Sequence, residues 1–190
     1  MSKDKLIIGI SGASGVIYGI RLLEVLRELG IETHLVMSKS AKTTLAHETN
    51  LKVSEVFEKA SYVHQIDDIG AAIASGSFLT SGMIVAPCSI RTLSEIAWGT
   101  TSNLLTRAAD VTLKDRRRLV LMVRETPLHL GHIQSMAKAT EAGAIIAPPV
   151  PAFYARPRSL EEMIDHTIGR MLDLFHIENQ LVRRWTEPRE

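Results

Sequence analysis

Apolar positions fall into short unbroken runs separated by stretches of helical spacing. Leu6 to Ile10 is apolar, Gly9 included, and stops at Ser11-Gly12, the pattern of a strand buried on both faces. After Gly15, residues Ile17, Ile20, Leu23 and Leu26 recur at helical spacing, and Gly30 ends the predicted helix. Thr33 to Met37 reads as a second strand, and Ser38 opens a helix to about His47. Residues 50–80 predict a helix, a short strand and a long loop. Met83 to Ala86 is another strand, closed by Pro87-Cys88-Ser89, with helical spacing onward through Leu93 and Ile96. Leu104, Ala108 and Val111 mark a further helix, and Leu119 to Val123 a further strand. Helix 130–142, strand 144–147 and a proline-rich loop follow, and then a stripe of Leu160, Ile164, Ile168, Met171 and Phe175 on a final helix.

Strands that are apolar throughout, alternating with helices, predict an α/β fold with a parallel sheet covered on both faces. In such sheets ligands bind past the carboxyl ends of the strands, where the strand order reverses. At 190 residues the chain suits one domain over 1–190, with no internal repeat or linker. Its 22 basic and 21 acidic residues are spread rather than blocked, so any basic site must be local, and neither nucleic acid nor a membrane surface is an expected partner. The one cysteine, Cys88, rules out an internal disulfide and suits a reducing cytoplasm. No signal-peptide pattern precedes the first strand, and no apolar run reaches the ~18 residues of a membrane span.

Two strand–helix turns carry the first candidate chemistry. In Gly9-Ile10-Ser11-Gly12-Ala13-Ser14-Gly15 a helix start offers N–H groups to an anion, and the Ser11 and Ser14 hydroxyls add donors. The glycine spacing is not that of the dinucleotide fingerprint, and the same turn could simply be capped by one of its serines. Pro87-Cys88-Ser89-Ile90-Arg91-Thr92 repeats the arrangement, with Ser89 as a natural N-cap, and Ser38 ends the second strand. Three serine-bearing ends could line one crevice. Arg107, Asp110 and Lys114 share a helix face and read as an ion-pair ladder. Arg124 and Glu125 directly follow a strand, Arg170 borders the last apolar stripe as a snorkelling arginine, and Arg116 to Arg118 form a solvated turn. His129 and His132 lack the further ligands zinc needs, so no metal is assigned, and Cys88 reads as a small buried thiol.

Together these segments resemble the flavin prenyltransferase (UbiX-type) family. The match is carried by Gly12-Ala13-Ser14-Gly15, Val36-Met37-Ser38-Lys39, Glu48-Thr49, Ala74-Ser75-Gly76-Ser77, Pro87-Cys88-Ser89 with Thr92-Leu93, and Arg107-Ala108-Ala109-Asp110-Val111 with Leu113-Lys114. It continues through Val123-Arg124-Glu125-Thr126-Pro127, Pro148-Pro149-Val150-Pro151-Ala152-Phe153-Tyr154 and Arg184-Trp185, in order along nearly the whole chain.

The resemblance implies a flavodoxin-like Rossmann fold, a homododecamer, and transfer of a dimethylallyl group from dimethylallyl monophosphate to N5 and C6 of reduced FMN, without a metal. The product, prenylated FMN, would serve a UbiD-type decarboxylase, typically in ubiquinone synthesis. By the same resemblance Gly12, Ala13, Ser14, Ser38, Ser89, Ile90, Arg91, Thr92 and Arg124 hold FMN. Lys114, Glu125, Tyr154 and Arg170 meet the prenyl phosphate, with Glu48 and Trp185 completing the pocket, and Glu48, Lys114, Glu125 and Trp185 are the catalytic candidates. Where some relatives have a tryptophan before the Ala-Ser-Gly-Ser loop, Ile69 stands here. A flavin-dependent cysteine decarboxylase is the nearest alternative, but its P-x-M-N segment is absent. A non-catalytic flavin carrier would explain the serine turns but not Lys114, Glu125, Tyr154 and Arg170 together.

Overall fold

The computed structural model describes residues 5–182 and residue 184. The chain divides into two compact units, 1–148 and 149–190. In the first, β1 (Lys5–Ile10), β2 (Glu32–Met37), β3 (Tyr62–His64), β4 (Gly82–Cys88), β5 (Arg118–Val123) and β6 (Ala144–Ile146) form one sheet in the order β3-β2-β1-β4-β5-β6. Every pairing is parallel. The helices of this unit are α1 (Val16–Glu28), α2 (Lys39–Glu48), α3 (Val53–Phe57), α4 (Ile90–Ala97), α5 (Leu104–Lys114) and α6 (Leu130–Glu141).

The four long strands are buried almost throughout, as apolar runs require when helices cover both faces. On one face Ile7, Val36, Met83, Val85, Leu119 and Leu121 pack with Leu93 of α4, Leu105 and Ala108 of α5, and Ala139 of α6. Chain order reverses between β1 and β4, so the carboxyl ends of these neighbours open the crevice where such sheets take ligands. Pro87 does not end its strand: β4 continues to Cys88 after a register shift between Val85 and Cys88, and the Ala86–Pro87 peptide is cis. Cys88 is fully buried, and burial pushes its thiol far up, which leaves it inert, as a small buried thiol should be.

In the second unit α7 (Leu160–Asp173) starts at the N-cap Ser159, whose side chain accepts from the Glu162 N–H. Its inner face is Ile164, Thr167, Ile168, Met171 and Leu172. The ends of the predicted stripe fall off that face: Leu160 is exposed and Phe175 lies beyond the last turn. No helix among the described residues is long and apolar enough to cross a membrane.

Candidate active site

Ser11 joins the two serine turns. It is buried, donates to the Pro87 carbonyl at 2.8 Å and accepts from the Ser89 N–H at 2.7 Å. Its hydroxyl is therefore used up inside the protein rather than offered to a ligand, because the ends of β1 and β4 lie side by side and need a bridge. Gly15 caps α1 with φ 98°, a left-handed conformation that favours glycine. Gly12 lies so close to Ser40 that any side chain there would collide with it, which seats the turn against the start of α2.

The N-terminus of α1 is filled from within. Glu48, at the end of α2, accepts from the Gly15 N–H at 2.9 Å and the Val16 N–H at 3.0 Å. Burial alone would raise its carboxyl, but the Ser14 hydroxyl, these two N–H groups and the Arg124 charge outweigh burial and hold it below its ordinary value. Ser14, Glu48 and Arg124 thus converge from the ends of β1, α2 and β5, a grouping that local periodicity could not show.

Beside them, Ser38 caps α2 by accepting from the Ala41 N–H, and Ser89 caps α4 by accepting from the Thr92 N–H. Both serines line an open cleft of about 440 Å³, with Ser40, Thr92, Lys39 and Arg91 among the lining residues. The positive ends of two helix dipoles therefore border one cleft together with hydroxyls and two cations, a donor set suited to a phosphate. Asp67 and Glu95 neutralise part of that charge: Lys39 pairs with Asp67 at 2.9 Å and Arg91 with Glu95 at 3.0 Å. Ile90 packs against the core, so what it can offer a ligand is backbone.

Arg124 and Glu125 are exposed just past β5, at the ligand rim. Lys114 is not with them. It ends α5 with three residues between it and the start of β5, so it lies at the opposite rim, with the roughly 17 Å length of β5 between. Its ammonium sits on Asp115 at 2.7 Å rather than on the Arg107–Asp110 pair, which closes on itself at 2.8 Å. Arg117, expected in a solvated turn, is instead mostly buried and donates to the carbonyls of Gly76 and Phe78.

In the second unit Tyr154 is exposed, with its hydroxyl 3.5 Å from Nε2 of buried His166. Arg170 does not snorkel: it pairs with Asp173 at 2.9 Å, and Arg184 binds the same carboxylate through both oxygens. Trp185 lies outside the described residues. Among the described residues no group of three or more His, Cys, Asp or Glu could hold a metal, and His129 serves as the N-cap of α6, accepting from the Gly131 N–H.

A family profile described as Flavoprotein matches residues 1–186. The chain is 58% identical to flavin prenyltransferase UbiX of Escherichia coli strain K12, over 95% of this chain and 97% of that one. The chain belongs to the flavin prenyltransferase family. A UbiX crystal structure (AnUbiX, PadA1) in complex with FMN and dimethylallyl pyrophosphate superposes with a TM-score of 0.96 at 48% identity, covering 98% of this chain and 100% of that one. A dodecameric FMN-dependent UbiX-like decarboxylase from Escherichia coli O157:H7 superposes at 0.93 with 46% identity, over 96% and 99%. The flavodoxin-like flavin prenyltransferase architecture is thus this chain's own: an all-parallel sheet with serine-bearing turns at its switch point.

Proposed function

We propose that the chain transfers a dimethylallyl group from dimethylallyl monophosphate to N5 and C6 of reduced FMN, acting as one cytoplasmic flavoprotein domain over 1–190. The observation that carries this reading is the convergence of Ser14, Glu48 and Arg124 beside the cleft between the starts of α2 and α4. Reduced FMN supplies the electron-rich ring positions. Because Glu48 already fills the start of α1, the FMN phosphate belongs at the Ser38 and Ser89 caps, where backbone N–H groups and hydroxyls favour a dianion. Gly12 and Ala13 border the ring side, Arg91 and Thr92 the cleft wall, and Ile90 gives backbone.

The donor needs cations that interact more strongly as charge develops on the departing phosphate. Lys114, Arg170 and the Tyr154 hydroxyl fit that role by residue type and by family resemblance, and Glu125 can pass a proton to or from the leaving phosphate. Ionised Glu48 can accept a proton from the flavin through Ser14. Trp185 is assigned to the prenyl pocket by resemblance alone. The place of Lys114 at the far rim of its own sheet supports a donor site that it completes in a neighbouring copy, within a homododecamer. Self-association is also supported by the exposure of Trp98 just past α4 and of Leu130 and Ile133 on α6. The product would pass to a UbiD-type decarboxylase.

The test is the mass of flavin extracted after anaerobic incubation with reduced FMN and dimethylallyl monophosphate. A gain of one five-carbon unit is expected, and unmodified FMN overturns the reading. Ser89→Asp should separately abolish FMN retention by placing like charge at the phosphate.

A further inference from the structure

Lys114 is held by more than its own stem. Its ammonium donates to Asp115 at 2.7 Å, and the other oxygen of Asp115 takes Arg117 at 3.0 Å. Arg117 in turn donates to the carbonyls of Gly76 and Phe78, so the loop before β4 fixes the guanidinium, which fixes the carboxylate, which fixes the lysine. Gly76 completes the seat. A β-carbon there would stand 2.8 Å from the Lys114 ammonium and closer still to Asp115, so only glycine leaves the space that the pair occupies.

An ion pair between two adjacent, partly exposed residues adds little to stability, so the fold does not need this one. A lysine side chain is flexible, and immobilising it in advance lowers what ligand binding must order. An ammonium has three N–H donors, and a bond to Asp115 leaves two for an incoming oxyanion. Asp115 is kept ionised to do this: the hydrogen bond from Lys114 lowers its carboxyl, desolvation opposes it, and the Lys114 and Arg117 charges tip the balance further down.

We infer that Asp115 is a positioning residue, seated against Gly76, that orients Lys114 toward the donor phosphate. The inference rests on the reading of Lys114 as a donor-phosphate ligand. Asp115→Asn keeps an oxygen for Arg117 and removes the charge that holds the ammonium. In the full-length assembly with saturating reduced FMN, this variant should raise KM for dimethylallyl monophosphate about three- to tenfold, with a much smaller change in kcat. FMN retention and thermal midpoint should not move, and Asp115→Glu should restore most of the loss. Gly76→Ala should raise the same KM by displacing the pair. The double variant Lys114→Ala with Asp115→Asn should be no worse than Lys114→Ala alone, because Asp115 acts through the lysine. An unchanged or lower KM in Asp115→Asn, or additive losses in the double variant, overturns the inference. If Lys114→Ala itself leaves KM unchanged, the donor-phosphate reading of Lys114 fails and the positioning role falls with it.

Discussion

The carboxylate of Glu48 receives the backbone N–H of Gly15 at 2.9 Å, so α1 is closed at its start by a side chain 33 residues downstream. The carboxylate takes the place at the helix dipole that an anionic ligand would otherwise occupy. Because its folded pKa is depressed, its contribution to stability is present above the unfolded value of about 4.3 and is lost as pH falls through the lower folded value. Glu48→Gln should therefore lower stability by about 0.3–1 kcal/mol at pH 7, a modest figure because the group is largely exposed. Thermal melts of parent and variant should converge as pH is taken from 7 down to 3, and a constant gap across that range would remove the carboxylate charge from the account.

Ser11→Ala would leave the Ser89 N–H and the Pro87 carbonyl without their shared hydroxyl in a buried setting. The expected loss is about 1–3 kcal/mol, read from urea unfolding. FMN retention should weaken with it, since the Ser89 cap is aligned through this bridge. Parental affinity in a destabilised variant would show that the bridge serves the fold alone.

Much of the fold is legible in the sequence because strands covered on both faces must be apolar throughout. Leu6–Ile10 and Leu119–Val123 are found inside β1 and β5, and the Ser38 and Ser89 caps stand where the pattern puts them. The differences lie in partners distant along the chain. Ser11 reads as a ligand donor until β4 is placed beside it, Arg117 reads as solvated until the loop at Gly76 folds over it, and Arg170 reads as snorkelling until Asp173 takes it. Lys114 carries no local sign that α5 delivers it to the rim opposite Arg124. Periodicity reports which way a residue faces and leaves open what it meets.

That opposition of Lys114 and Arg124 makes subunit complementation a direct test of assembly. Lys114→Ala and Arg124→Ala should each be nearly inactive alone. Mixed assemblies, unfolded and refolded together, should regain activity, because some sites then receive an intact lysine from one copy and an intact arginine from another. Activity should also track assembled mass by light scattering on dilution. A fully active monomer would contradict both expectations.

Glu125→Gln keeps size and hydrogen bonding while removing the ionisable proton. FMN should still bind, and single-turnover prenylation with saturating donor should slow by about 10²–10⁴-fold. If the variant turned over like the parent, proton transfer would have to move to Glu48 or to the phosphate itself.

The bridge between Ser11 and Ser89 spans 78 residues of chain, and β1 reaches β4 only after β2, β3 and the loop between have been made. Arg124 arrives later still, with β5. No early portion of the polypeptide can therefore hold a flavin, and FMN can only recognise a chain whose central strands have all been laid down. Binding that is confined to the finished fold stabilises it with the logarithm of free ligand concentration, so FMN should delay unfolding without hastening the slow, non-local steps by which this sheet closes.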